Sequence, residues 1–126
     1  MVLSNYKKQV GSFGQNLAGQ FLQKRNYKII RENFAVKEGE IDIICEKDDQ
    51  LIFVEVKTRL SENFGLPEEA VNDAKKEKIY IAALKYLEQE QINHDNFRFD
   101  CLAVLIDKVQ KKATIRHYKN IINDYI

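Results

Sequence analysis

Two runs rich in β-branched and aromatic residues, 40–46 and 50–58, are separated only by the polar Lys47-Asp48-Asp49-Gln50. No other feature of the chain narrows its fold as far. A short polar break between two such runs predicts a hairpin, and a loop of two or four residues gives that hairpin a determined register. In either case Ile44 faces Phe53, Asp42 faces Glu55 and Glu40 faces Lys57. Strand side chains alternate, so all six share one face, with Ile41, Ile43 and Cys45 on the other. A loop of odd length would shift the parity and dissolve the arrangement.

Opposed Cβ atoms in a hairpin stand about 4.5–5.5 Å apart. At an effective dielectric near 20, two carboxylates about 5 Å apart repel by about 3 kcal/mol, a cost that a purely structural strand pair has no reason to keep. A shared proton, a neighbouring cation or a bound divalent metal relieves it. Lys57, two residues beyond Glu55 on the same face, supplies a cation. Two carboxylates and a lysine so placed are the parts for metal-assisted phosphodiester hydrolysis: the acids hold Mg²⁺, and the lysine positions water or neutralises phosphate. Taken singly, Glu55 and Lys57 also read as an edge-strand charge pair, with Glu40 bonded to Lys57 and Asp42 solvated. The opposition of Asp42 to Glu55 is what favours a site.

The surrounding elements are read from periodicity. Tyr6, Val10, Phe13, Leu17 and Phe21 recur at steps of three and four, one face of a helix over residues 5–24. Gly11 and Gly14 inside it predict a close neighbour. Asn26 can take the left-handed turn that ends the helix, and residues 27–33 read as a first strand. Residues 59–67 form a loop, 68–91 a long helix with acids in its first turn, 97–107 and 113–118 two more strands, and the last residues a short helix. The expected order is α-β-β-β-α-β-β.

A chain of 126 residues, 44% hydrophobic and 31% charged, fits one compact domain over 1–126 rather than two domains or a disordered segment. No run approaches the roughly 18 apolar residues of a membrane span, and the opening residues lack a signal peptide's apolar core, so a cytoplasmic protein without a membrane role is expected. Cys45 and Cys101 lie far apart in apolar runs and read as buried free thiols. His94 and His117 are isolated and suggest no zinc site. No P-loop, GxGxxG or GxSxG occurs, which leaves nucleotide hydrolysis, dinucleotide chemistry and esterase chemistry without support.

The net charge of +1 hides a pattern. Residues 1–37 carry Lys7, Lys8, Lys24, Arg25, Lys28, Arg31 and Lys37 against Glu32 alone, whereas 38–55 carry seven acids against Lys47. Lys108, Lys111, Lys112, Arg116 and Lys119 follow without an acid among them. An acidic centre between basic segments suits a protein that grips a polyanion around a metal ion. Solvated faces that alternate in sequence give the same pattern.

Gly39-Glu40-Ile41-Asp42-Ile43-Ile44, followed by Phe53-Val54-Glu55-Val56-Lys57-Thr58-Arg59, resembles the YraN family of predicted endonucleases, small bacterial proteins of the PD-(D/E)xK nuclease superfamily related to archaeal Holliday junction resolvases. The resemblance extends over nearly the whole chain. It takes in Gly11, Gly14 and Ala18, Asn33 after the first strand, Phe64-Gly65 with Pro67, Lys75, and Arg98-Phe99-Asp100. It implies a restriction-endonuclease-like α/β core, a mixed sheet flanked by helices. It further implies Asp42, Glu55 and the Val56 carbonyl as ligands of Mg²⁺ or Mn²⁺, Lys57 as catalytic aid, and DNA, branched or structured, as substrate. The family pattern has Gly-x-x-Gly-Glu in the first helix, where this chain has Gln15. An amide beside the site can bond metal-bound water but carries no charge, implying weaker metal binding or one ion rather than two. Glu40 is a second residue expected to support the site from behind.

Lys75 falls in an apolar helical stripe with Val71, Ile79, Ala82 and Tyr86. It either snorkels to solvent or reaches the site to touch phosphate. Arg59, just after the motif, reads as a phosphate contact or a solvated strand end. The same helix is apolar on its other side, at Ala70, Ala74, Tyr80, Ile81, Leu84 and Leu87, which hints at a homodimer contact. The sequence reading is thus a Mg²⁺-dependent DNA endonuclease. Its rival is a non-catalytic nucleic-acid-binding or protein-interaction module on the same fold, which Gln15 favours.

Overall fold

The computed structural model describes residues 2–60, 73–93 and 95–122, with side chains from residue 8 onward. The elements follow the expected order: α1 (Val2–Lys24), β1 (Lys28–Val36), β2 (Gly39–Lys47), β3 (Gln50–Leu60), α2 (Asp73–Gln89), β4 (Phe97–Asp107) and β5 (Lys112–Tyr118). The five strands form one sheet in sequence order. β3 and β4 run parallel and every other pair antiparallel, so the sheet is mixed and α2 is its crossover.

Each face of the sheet has its own apolar core. On one side Phe34, Ile41, Ile44, Phe53, Phe99 and Cys101 pack against Ile79, Ala82, Ala83, Tyr86 and Leu87 of α2. On the other, Ile43, Cys45, Ile52, Val54, Leu102 and Val104 pack against Ala18 and Leu22 of α1. Both cysteines are buried and free, and burial pushes each thiol up to about 12.

The hairpin has the anticipated register. Lys47 pairs with Gln50, Ile44 with Phe53 and Ile43 with Val54. Asp48 and Asp49 both take positive φ, 51° and 62°, which a two-residue type I′ turn requires and which matches the twist of the strands it joins. Asn26, at φ 68°, ends α1 in the left-handed conformation.

Several boundaries and faces differ from the sequence reading. β1 runs three residues past Asn33, so Asn33 stands inside the strand, at φ 53°. β3 includes Arg59 and Leu60. The start of the long helix, with Val71, Ala70 and the Phe64-Gly65-Pro67 loop, lies outside the described residues, as do His94 and the last four residues. α1 buries Gly14, Ala18 and Leu22, with Leu17 and Phe21 at the margin, while Phe13 is 52% exposed. Small residues let a helix settle close to a sheet, and the larger side chains then sit at its flanks. Among the described residues Gly14 meets a neighbour, since a Cβ there would lie 1.9 Å from Thr58 Oγ1, whereas none comes within 4 Å of a Cβ at Gly11. Along α2, Leu84 is 43% exposed and Leu87 is buried.

Among the described residues no helix is long and apolar enough to cross a membrane.

Candidate functional site

The centre of the hairpin departs from simple alternation at one place. Ile43 packs toward α1 and Ile41 toward α2, although period two would set them on one face. The expectation that Ile41 shares a face with Ile43 and Cys45 is therefore corrected. Between the pairs Glu32–Ile43 and Phe34–Ile41 stand Asn33 and Asp42. The positive φ of Asn33 turns the backbone there, and the paired strands change face together. As a result β2 parts from β3: their last paired residues are Ile43 and Val54, one step short of Asp42 and Glu55.

The Asp42 side chain fills the place where the ladder stops. Its Oδ2 accepts a hydrogen bond from the Val56 backbone N–H at 2.8 Å. In a strand the N–H and C=O of one residue point to the same edge, so the Val56 carbonyl also faces the Asp42 side. The sequence reading sets Glu40 opposite Lys57 with all six residues on a continuous ladder. Instead Glu40 pairs with Ala35 on β1 and is exposed, and Lys57 contacts Glu55.

Glu55 is 7% exposed and takes two ammonium groups on one oxygen: Lys75 Nζ at 2.9 Å and Lys57 Nζ at 3.4 Å from Oε1. Lys75 thus reaches the site from α2 and does not simply snorkel away. Its approach depends on Gly39, because a Cβ there would meet the Lys78 carbonyl oxygen at 3.0 Å. A glycine at the start of β2 lets α2 lie this close, where a Cβ would press it back by a few tenths of an ångström. An open cleft of about 310 Å³ results, lined by Gly39, Glu40, Asp42, Glu55, Val56 and Lys75 among others.

Electrostatics mark the same place. Burial, and next the charge of Glu55, push the Asp42 carboxyl up to about 7, against the pull of the Val56 N–H. Glu40 adds to the upward push through its charge. Burial and the adjacent Lys75 lower the Lys57 ammonium, partly offset by Glu55. Burial opposes the Lys75 charge, but its contacts with Lys57 and Glu55 outweigh that and leave it raised.

Gln15 follows Gly14 at the point where α1 touches β3. Its Nε2 makes long contacts of 3.4 Å to the Asp42 backbone carbonyl and to Glu32 Oε1. It therefore approaches the main chain of Asp42 and not its carboxylate. Arg59 is exposed at the end of β3, and its guanidinium donates to the Thr58 carbonyl at 2.9 Å.

Two acids and one backbone carbonyl suit a hard cation that keeps several of its waters, as Mg²⁺ does. Among the described residues no group of three His, Cys, Asp or Glu side chains is placed to hold a metal. A divalent cation between Asp42 and Glu55 would replace the proton that their mutual repulsion otherwise retains.

Reading residues one at a time misses a second polar cluster. Asp100, 1% exposed, binds the Arg98 guanidinium at 2.9 Å, His117 Nε2 at 2.7 Å and the Asn120 N–H at 2.9 Å. Burial raises the Asp100 carboxyl, but the bonds from His117, Arg98 and Asn120 hold it below its usual range. Arg98 also reaches Gln50 at 2.6 Å and the Tyr27 hydroxyl at 3.3 Å. His117 is thus not isolated. The i, i+2 spacing of Arg98 and Asp100 on one strand face was the available signal. With both carboxylate oxygens engaged, the cluster joins β4 to β5 and to the start of β3, apart from the cleft.

Residues 14–104 match a family model described as uncharacterised protein family UPF0102. A UPF0102 protein of Syntrophomonas wolfei subsp. wolfei is 42% identical over 113 residues, covering 90% of this chain and 96% of the relative. One of Caldanaerobacter subterraneus subsp. tengcongensis is 43% identical over 119 residues, covering 94% and 96%. One of Caldicellulosiruptor bescii is 48% identical over 102 residues, covering 79% and 85%.

Proposed function

The chain belongs to the UPF0102 family, and from that premise and the geometry of its cleft we propose that it is a Mg²⁺- or Mn²⁺-dependent endonuclease of the PD-(D/E)xK type, acting on branched or structured DNA. The observation that carries this reading is the forced proximity of Asp42 and Glu55 at the point where β2 leaves β3, with Lys57 on the same carboxylate. A structural hairpin would gain by removing either acid. Here the main chain itself is arranged around Asp42, through the Val56 N–H.

Asp42, Glu55 and the Val56 carbonyl would hold the cation. When bound, the ion neutralises charge on the phosphate and lowers the pKa of its water. Lys57 stands beside Glu55 with its ammonium weakened by burial, a state in which it can orient the attacking water and take up its proton. Lys75, half-exposed at the mouth of the cleft, meets the phosphate, and Arg59 extends the cationic surface along β3. Gln15 meets the Asp42 main chain, and Glu40 adds negative charge near its carboxylate.

One observation favours the rival, a binding module that retains the fold: the first helix presents the neutral Gln15 amide to Asp42. The decisive experiment is cleavage of labelled linear, flapped and four-way DNAs with Mg²⁺ or Mn²⁺ at low salt, comparing the wild type with Asp42→Asn. Cleavage by the wild type alone supports the enzyme. Binding without cleavage of any substrate supports the module.

A further inference from the structure

β5 borders the sheet beside β4, and its side chains alternate between the two cores. Tyr118 packs into the α2-side core and Ile115 into the α1-side core, while His117 lies against the rings of Phe21 and Tyr27 on the α1 side. Arg116 therefore shares the α2 side with Tyr118. The register carries this face across three strands: Arg116 opposes Ala103 on β4, and Ala103 opposes Lys57 on β3. Arg116 and Lys57 thus stand at one level of one face. Neighbouring strands are about 4.8 Å apart, which separates their backbones by about 10 Å.

Arg116 is exposed, and no described residue forms an ion pair with it. Arg59, on the same face about 7 Å beyond Lys57 along β3, is bonded only to the Thr58 carbonyl among the described residues. Exposed guanidinium groups without carboxylate partners among the described residues, level with a lysine of the candidate site, are complementary to a polyanion.

We propose that Arg116 is a second grip on the DNA backbone, binding a phosphate close along the strand to the one held at the cleft. The spacing follows from the register: about 10 Å separates the two backbones, and phosphates along a duplex strand are set apart by the helical turn as well as by the rise of about 3.4 Å per nucleotide along the axis, so the two cations reach phosphates close together on one strand. The duplex then runs from the cleft toward β5, and the outer strand orients the substrate relative to the cleft. This inference rests on the reading of the cleft as a DNA site, but it concerns binding and not bond cleavage.

The test measures DNA affinity by fluorescence anisotropy across a salt series, with Ca²⁺ in place of the catalytic ion. It compares the wild type, Arg116→Gln and Lys24→Gln, the last at the far end of α1. Arg116→Gln should flatten the log-log salt slope by about one, the share of a single phosphate contact. Lys24→Gln should leave it unchanged. In cleavage assays Arg116→Gln should raise KM severalfold with kcat within about twofold of wild type. In a series of single methylphosphonate substitutions, the affinity loss at one phosphate flanking the cut should vanish in Arg116→Gln. A slope unchanged by Arg116→Gln, or changed equally by Lys24→Gln, overturns the proposal while the nuclease reading stands. A flattened slope in a protein that cleaves nothing keeps the grip and removes the nuclease. No DNA binding by the wild type at low salt overturns both.

Discussion

Replacing Asp42 by asparagine should make the metal-free protein more stable at alkaline pH and no more stable in acid. The Asp42 carboxyl titrates at about 7 instead of its ordinary 3.8, because of burial and the adjacent Glu55. At about 1.4 kcal/mol per pH unit, keeping it ionised in the fold costs about 4 kcal/mol, and relaxation around the pair trims this to roughly 2–4 kcal/mol. The sign follows from linkage: an acid whose pKa is raised by folding binds its proton more tightly in the folded state. Its stabilising effect is complete below 3.8 and is lost as pH rises through about 7. The asparagine amide would keep an oxygen for the Val56 N–H and never ionise. Unfolding by urea in chelator, from about pH 4 to about pH 8, should show the two proteins together at the acid end and the variant ahead by roughly 2–4 kcal/mol at the alkaline end. For a chain of this size that corresponds to a Tm difference of about 10 °C. Millimolar Mn²⁺ should close the gap by stabilising only the wild type. A variant less stable than wild type at alkaline pH, or a gap independent of pH, would refute the assignment of Asp42 and Glu55 as a repelling pair.

Gly14→Ala places a methyl group 1.9 Å from Thr58 Oγ1, so thermal melts should show a loss of about 1–3 kcal/mol, while the same change at Gly11 should be neutral or slightly stabilising. Lys75→Gln removes the nearer cation from Glu55, and calorimetry should find Mn²⁺ bound more tightly while anisotropy finds DNA bound more weakly; equal affinities for both would deny Lys75 its place in the cleft. Gln15→Glu brings a charge next to Glu32 and the Asp42 carbonyl. It should lower the Tm in chelator and widen the gain from Mg²⁺, and an unchanged metal response would mean that position 15 does not sense the ion. Asp100→Ala leaves Arg98 and His117 without their shared carboxylate, at an expected cost of about 3–5 kcal/mol visible in urea midpoints, with residual folded protein keeping its metal affinity.

The order of elements and the pairing of Ile44 with Phe53 were legible in the sequence because they depend on local rules. Alternation, helical spacing and the two-aspartate turn act over a few residues, and each points to the same topology. The same rules brought Asp42 and Glu55 to one place and left the cysteines in the core. What they could not reveal was the way the ladder ends. The change of face at Asn33 and Asp42 is a cooperative event of two paired strands, with a positive φ in one allowing the other to release its partner. That event detaches Glu40 from Lys57 and frees the Asp42 carboxylate for the Val56 N–H. The choice between two fates for Lys75 likewise belonged to tertiary structure, because it turns on how closely α2 passes Gly39. The buried face of α1 centres on Gly14, Ala18 and Leu22 and not on its larger residues, since close packing against the sheet depends on the shape of the contact as well as on hydrophobicity. The union of Arg98, Asp100 and His117 required residues 17 positions apart to meet across β4 and β5. Sequence determines which groups can be neighbours along a strand or helix; the distances at which distant groups meet arise only once the elements pack.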